Sequence, residues 1–162
     1  MISKEELEES AKFQDYVSDL LYDIGIPINL YTSFKYQIEK GESRAGVEIK
    51  YDKQLEKTGN IYIEIAERHS TNEPFVASGI MRKDNTIFYA IGNYEHVRLF
   101  SKKQLQILAR SKEFKKVQTD TSMGVLIPIE YVEAHNGIVI VEWINGKRYE
   151  KKEQQTSKVR TQ

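Results

Sequence analysis

Glu48, Lys50 and Asp52 stand at i, i+2 and i+4 in the stretch Val47-Glu48-Ile49-Lys50-Tyr51-Asp52, alternating with apolar residues. That period is a strand with one apolar and one polar face, so the three charged side chains share a face. After a polar turn at Lys57-Thr58-Gly59-Asn60, a second run alternates Ile61, Ile63 and Ile65 with Tyr62, Glu64 and Ala66. Solvated strand faces often carry such charges, but consecutive strands can also bring them together. As an antiparallel hairpin turning near Thr58, the pair sets Asp52 opposite Glu64, with Cβ atoms about 4.5–5.5 Å apart. Carboxylates that close repel, and a divalent cation between them removes the conflict. Lys50 then faces Ala66, placing an ammonium group beside the site to hold a phosphate or orient water. A one-residue slip would turn all of these groups to the other face, so the expectation depends on register.

Composition narrows the chemistry. The 162 residues contain no cysteine, which excludes disulfides, iron–sulfur clusters and thiolate zinc, and only three scattered histidines. A catalytic metal must therefore use oxygen ligands, which favours Mg²⁺, Mn²⁺ or Ca²⁺. The 24 basic and 24 acidic residues cancel, so no overall field announces a nucleic-acid partner. No apolar run is long enough for a membrane span, and the start Met-Ile-Ser-Lys-Glu-Glu lacks a signal-peptide pattern; a cytoplasmic protein without membrane contact is expected. Apolar residues make up 40%, including ten Tyr and six Phe, enough for one domain over residues 1–146. From Lys147 to Gln162 six basic and two acidic residues form a tail with no apolar period, expected to be flexible and able to touch phosphates.

The elements that must position these residues follow from capping and period. Ser3 and Glu6 make a capping box, Phe13, Val17, Leu20, Leu21 and Ile24 make one stripe, and Gly25 and Pro27 end the helix. A helix over about 4–24 results. Ile28–Ile38 is rich in aromatic and β-branched residues and predicts a strand, followed by a turn at 41–46. Residues 74–83 read as a short helix or loop, 86–92 as a central strand and 96–100 as a short one. Ser101 and Gln104 open a helix to about Ser111 with Leu105, Leu108 and Ile107 on its buried side. Residues 124–131 read as a strand or loop and 137–143 as a last strand. The expected class is α/β or α+β, a mixed central sheet flanked by helices.

The stretch from Gly46 to Glu67, GVEIKYDKQLEKTGNIYIEIAE, resembles the catalytic hairpin of phage- and mobile-element-borne members of the PD-(D/E)XK nuclease superfamily. The carrying features are an Asp at a strand end, Thr58-Gly59-Asn60, and Glu64 on the next strand. The resemblance implies a restriction-endonuclease-like fold and a metal-dependent DNA endonuclease of homing or restriction type. It implies Asp52, Glu64 and the carbonyl of Ile65 as metal ligands, Mg²⁺ (or Mn²⁺) as cofactor, and support from Gln14 on the first helix. The superfamily's lysine two residues after the Glu is absent, since Ala66 stands there. Lys50 is the expected substitute, with Lys83 and Arg82 as lesser candidates. Glu48-Ile49-Lys50 is itself an E-x-K triplet, so the motif can alternatively lie one strand earlier, with Glu48 in the site.

Lys102, Lys103, Arg110, Lys112, Lys115 and Lys116 make the region 102–116 basic. It reads as a solvated helix face or as a phosphate-contacting surface that Arg82 and Lys83 could extend. Cutting both strands of DNA takes two active sites, so the resemblance also implies a homodimer or tetramer. The competing function is a nuclease-fold module that binds DNA or protein without catalysis. An enzyme of small-molecule metabolism finds no cofactor pattern in the chain.

Overall fold

The computed structural model describes residues 3–31 and 33–151. Helix α1 (Lys4–Asp23) begins at the capping box: Ser3 Oγ accepts from Glu6 N (3.1 Å) and Ser3 N donates to Glu6 Oε2 (2.8 Å). Its stripe of Phe13, Val17, Leu20 and Leu21 is buried. Where a strand was expected at 28–38, Leu30 makes a single antiparallel bridge to Ser43 and helix α2 (Phe34–Lys40) follows. Lys35 and Glu39 pair at i,i+4 (3.8 Å), while Tyr36 and Ile38 stay exposed; these aromatic and branched residues find no sheet to pack on.

Among the described residues, nine strands form two sheets. β1 (Val47–Tyr51), β4 (Phe88–Gly92), β5 (His96–Ser101), β8 (Val139–Ile144) and β9 (Lys147–Tyr149) make a five-stranded mixed sheet in the order β1-β4-β5-β8-β9. β2 (Asn60–Glu67), β3 (Val76–Ala77), β6 (Lys115–Gln118) and β7 (Ser122–Pro128) make an antiparallel sheet in the order β3-β2-β7-β6. The mixed α and β class expected from the sequence is thus the observed one. The second sheet, β6 within it, and β9 at the start of the expected tail were not anticipated. Residues 152–162 of that tail lie outside the described residues.

The expected β1–β2 hairpin does not form. β1 lies parallel to β4, whereas β2 pairs with β3 and β7. The physical reason is that the two apolar faces serve different cores. Val47 and Ile49 pack with Phe13, Val17, Leu20, Leu21, Ala90, Val97, Leu99 and Trp143 beneath α1. Ile61 and Ile63 pack with Tyr89, Ile91, Phe100, Val125 and Ile127 between the sheets, joined by Leu105, Leu108 and Ala109 of helix α4 (Lys102–Arg110). Ile107, expected on the buried side of α4, is 61% exposed. The link between β1 and β2 is the turn α3 (Leu55–Thr58), whose buried Leu55 anchors the passage from one sheet to the other. Among the described residues no helix is long and apolar enough to cross a membrane.

Candidate functional site

β1 is an edge strand of its sheet, and its outward amides are met by the loop that precedes it. Val47 N donates to Ser43 Oγ (3.1 Å), and Ile49 N to Glu42 Oε1 (3.4 Å). Gln14 Nε2 on α1 donates to the same Glu42 oxygen (3.1 Å). On the strand itself Lys50 Nζ lies 2.5 Å from Glu48 Oε1; the Glu48 side chain is 8% exposed and that of Lys50 52%. Four side chains from three segments thus converge at one sheet edge: Gln14, Glu42, Glu48 and Lys50.

Their electrostatics are coupled. Burial pushes Glu42 up to about 7; Lys50 opposes this, and the Glu48 charge adds to it. For Lys50 burial favours the neutral amine, but Glu48, Glu42 and Glu64 outweigh it and raise the ammonium above its ordinary value. The Tyr89 hydroxyl, on the strand paired with β1, is held protonated by burial and by the charges of Glu48 and Asp84. Buried Glu48 and half-buried Glu42, both acting on Lys50, are a hard-oxygen donor set short of positive charge, which fits a divalent cation in chemistry. Among the described residues, no three His, Cys, Asp or Glu side chains form a metal-holding group.

The other expected site residues make contacts of their own. Lys50 is in register with Ile91, not Ala66, and Ala66 pairs with Ala77 and Met123. Asp52 does not face Glu64 across a ladder. Its Oδ1 accepts from Gln54 N (3.0 Å) at the entry to α3, and burial raises it against the amides of Gln54, Leu55 and Tyr62. Glu64 Oε1 accepts from Ser78 Oγ (2.5 Å) and Oε2 from Ser122 Oγ (3.0 Å), while the Tyr62 hydroxyl meets Ser122 Oγ at 2.5 Å. Gly79 allows this: at φ +51° it passes so close to β2 that a Cβ would lie 2.3 Å from the Glu64 carbonyl oxygen. The Ile65 carbonyl accepts from Ser78 N (3.1 Å). Arg82 pairs with Glu67 (3.6 Å), and Lys83 and Lys103 are exposed. Lys102 is buried: it bonds Asp84 Oδ1 (2.9 Å) and the Arg82 carbonyl (2.6 Å), so it is no phosphate contact.

Glu42 was missed because 41–46 reads as a turn. Its signal was present as an acid six residues before Glu48, in GESRAGVEIK. Two clefts of about 380 and 330 Å³ lie away from this edge, one between α5 (Ile129–Ala134), β8 and β9, the other around His96, Arg98 and Glu133. Neither is lined by Glu42, Glu48 or Lys50. Comparison with protein-family models, curated proteins and solved structures found no match to the chain.

Proposed function

We propose that the chain is a metal-dependent DNA endonuclease whose site is the E-x-K triplet Glu48-Ile49-Lys50, completed by Glu42 and Gln14. The observation that carries this reading is the ion pair of buried Glu48 with Lys50, beside half-buried Glu42, whose carboxylate accepts from a glutamine of α1 and acts on the same lysine. Glu42 and Glu48 are the side chains that would hold Mg²⁺ or Mn²⁺; the chemistry such an ion supplies is neutralisation of phosphate charge and a lowered pKa for the attacking water. Lys50, half exposed and firmly cationic, stabilises charge developing on the phosphate oxygens. Gln14 fixes the Glu42 carboxylate by its amide hydrogen bond. A site at a sheet edge, outside the two clefts around α5 and His96, suits a large substrate better than a small metabolite.

Double-strand cutting would take two copies, as a homodimer or tetramer. The test is incubation of a plasmid and phage DNA panel with Mg²⁺, Mn²⁺ or EDTA: cutting with metal and none with EDTA is expected. A second reading, a non-catalytic DNA-binding module, draws on the Glu48–Lys50 ion pair, in which the lysine is already neutralised. Duplex binding unaffected by EDTA, with no cutting in any metal, would favour it.

A further inference from the structure

α4 buries Lys102, Leu105, Leu108 and Ala109 and leaves Lys103, Ile107 and Arg110 on its open side. Those three stand at i, i+4 and i+7, which is one helical stripe. Lys112, Lys115 and Lys116 follow, all exposed, the last two on edge strand β6. From 103 to 118 there are five cations and one acid, Glu113. Among the described residues none of the five is in an ion pair.

Side-chain bonds run from this face towards Glu64 on β2. Ser78 holds Glu64, whose charge acts on Lys50. The 3₁₀ turn that follows Ser78 (Gly79–Met81) is fastened to α4: Gln106 Nε2 donates to the Ile80 carbonyl (2.7 Å) and Arg110 Nη2 meets Met81 Sδ (3.9 Å). The helix stripe and the strand each span about 10 Å, about three base pairs of duplex.

We propose that the open face of α4 and the β6 edge carry the sugar–phosphate backbone of a DNA duplex engaged at the Glu42–Glu48–Lys50 edge; the inference rests on the nuclease reading. The test is duplex binding in EDTA, by fluorescence anisotropy over a series of salt concentrations. Wild type is compared with Lys103→Gln/Arg110→Gln/Lys112→Gln and with a control, Lys4→Gln/Lys12→Gln/Lys35→Gln, on α1 and α2. The replaced side chains of the first variant are exposed, and thermal melting checks that it folds. The slope of log affinity against log salt should flatten by about 2.7, roughly 0.9 for each cation removed, and stay unchanged in the control. An unchanged slope in the first variant, an equal change in the control, or no duplex binding by wild type overturns the proposal. Displacement of the duplex by polyglutamate as readily as by unlabelled duplex also overturns it, because the face would then accept acidic charge of any kind. Cleavage is read separately. Wild type that binds with the expected slope but never cuts with Mg²⁺ or Mn²⁺ contradicts the nuclease reading and leaves the surface standing.

Discussion

Glu42 shows how a half-buried carboxylate can oppose folding. Its value in the folded chain, about 7, lies above the ordinary 4.5, so the native state prefers the protonated form. The penalty is absent below the unfolded value, grows as pH rises from 4.5 towards 7, and is complete above that, on the order of 3 kcal/mol. Glu42→Gln should therefore stabilise the metal-free protein at about pH 8 and scarcely alter it at about pH 4. Urea denaturation at the two pH values checks this; equal stability changes at both would contradict it. Lys102 offers the reverse case, because its partner Asp84 has a side chain only 1% exposed. Lys102→Ala strands that carboxylate and should cost about 3–5 kcal/mol, against less than about 0.5 kcal/mol for exposed Lys103→Ala. A DNA-binding role for Lys102 predicts the opposite ranking of effects: weak on stability, strong on affinity.

The elements are held by contacts between faces that are distant in sequence. Phe13 is fully buried and stacks on Tyr51 with ring centroids 4.5 Å apart, joining α1 to β1. Phe13→Ala should cost about 3–5 kcal/mol in denaturant unfolding. On the second sheet the Tyr62 ring lies over Gly124, where a Cβ would come within 2.2 Å of Tyr62 Cε2. Gly124→Ala should destabilise by about 1–3 kcal/mol. The loss should shrink in a Tyr62→Ala background, and additive losses in the double-mutant cycle would contradict this contact. Capping and helical period made α1 and α4 legible, and alternation made β1 and β2 legible as strands. Their partners were not, because Val47-Ile49 and Ile61-Ile63 carry the same pattern whichever sheet receives them. Local alternation says nothing about pairing at long range, and the strand nearest in sequence is not the neighbour here. Glu48 and Lys50 share a face as their spacing implies. Asp52 and Glu64 do not meet across a ladder because α3 lies between β1 and β2, and Glu42 lies in a stretch that reads as a turn.

At the scale of the whole molecule, the five-stranded sheet lies between two apolar cores, one beneath α1 and one against the second sheet. The candidate site sits at the β1 edge of that sheet. Gln14 reaches it from α1, and Glu64, on the second sheet, adds its charge to the field at Lys50. Both cores therefore bear on one cluster, and loosening either should disturb it. A site at a sheet edge suits a substrate that extends across the surface, as do the exposed cations of α4 and β6.

The measurement that tests the central claim most directly is metal-dependent DNA cleavage by wild type beside Glu42→Gln, Glu48→Gln, Lys50→Ala, Asp52→Asn and Glu64→Gln. Losses of about a hundredfold or more are expected for the first three, with Asp52→Asn and Glu64→Gln retaining most activity. Cutting that survives Glu48→Gln and Lys50→Ala but is lost in Asp52→Asn and Glu64→Gln would contradict the account and restore the site to the second strand.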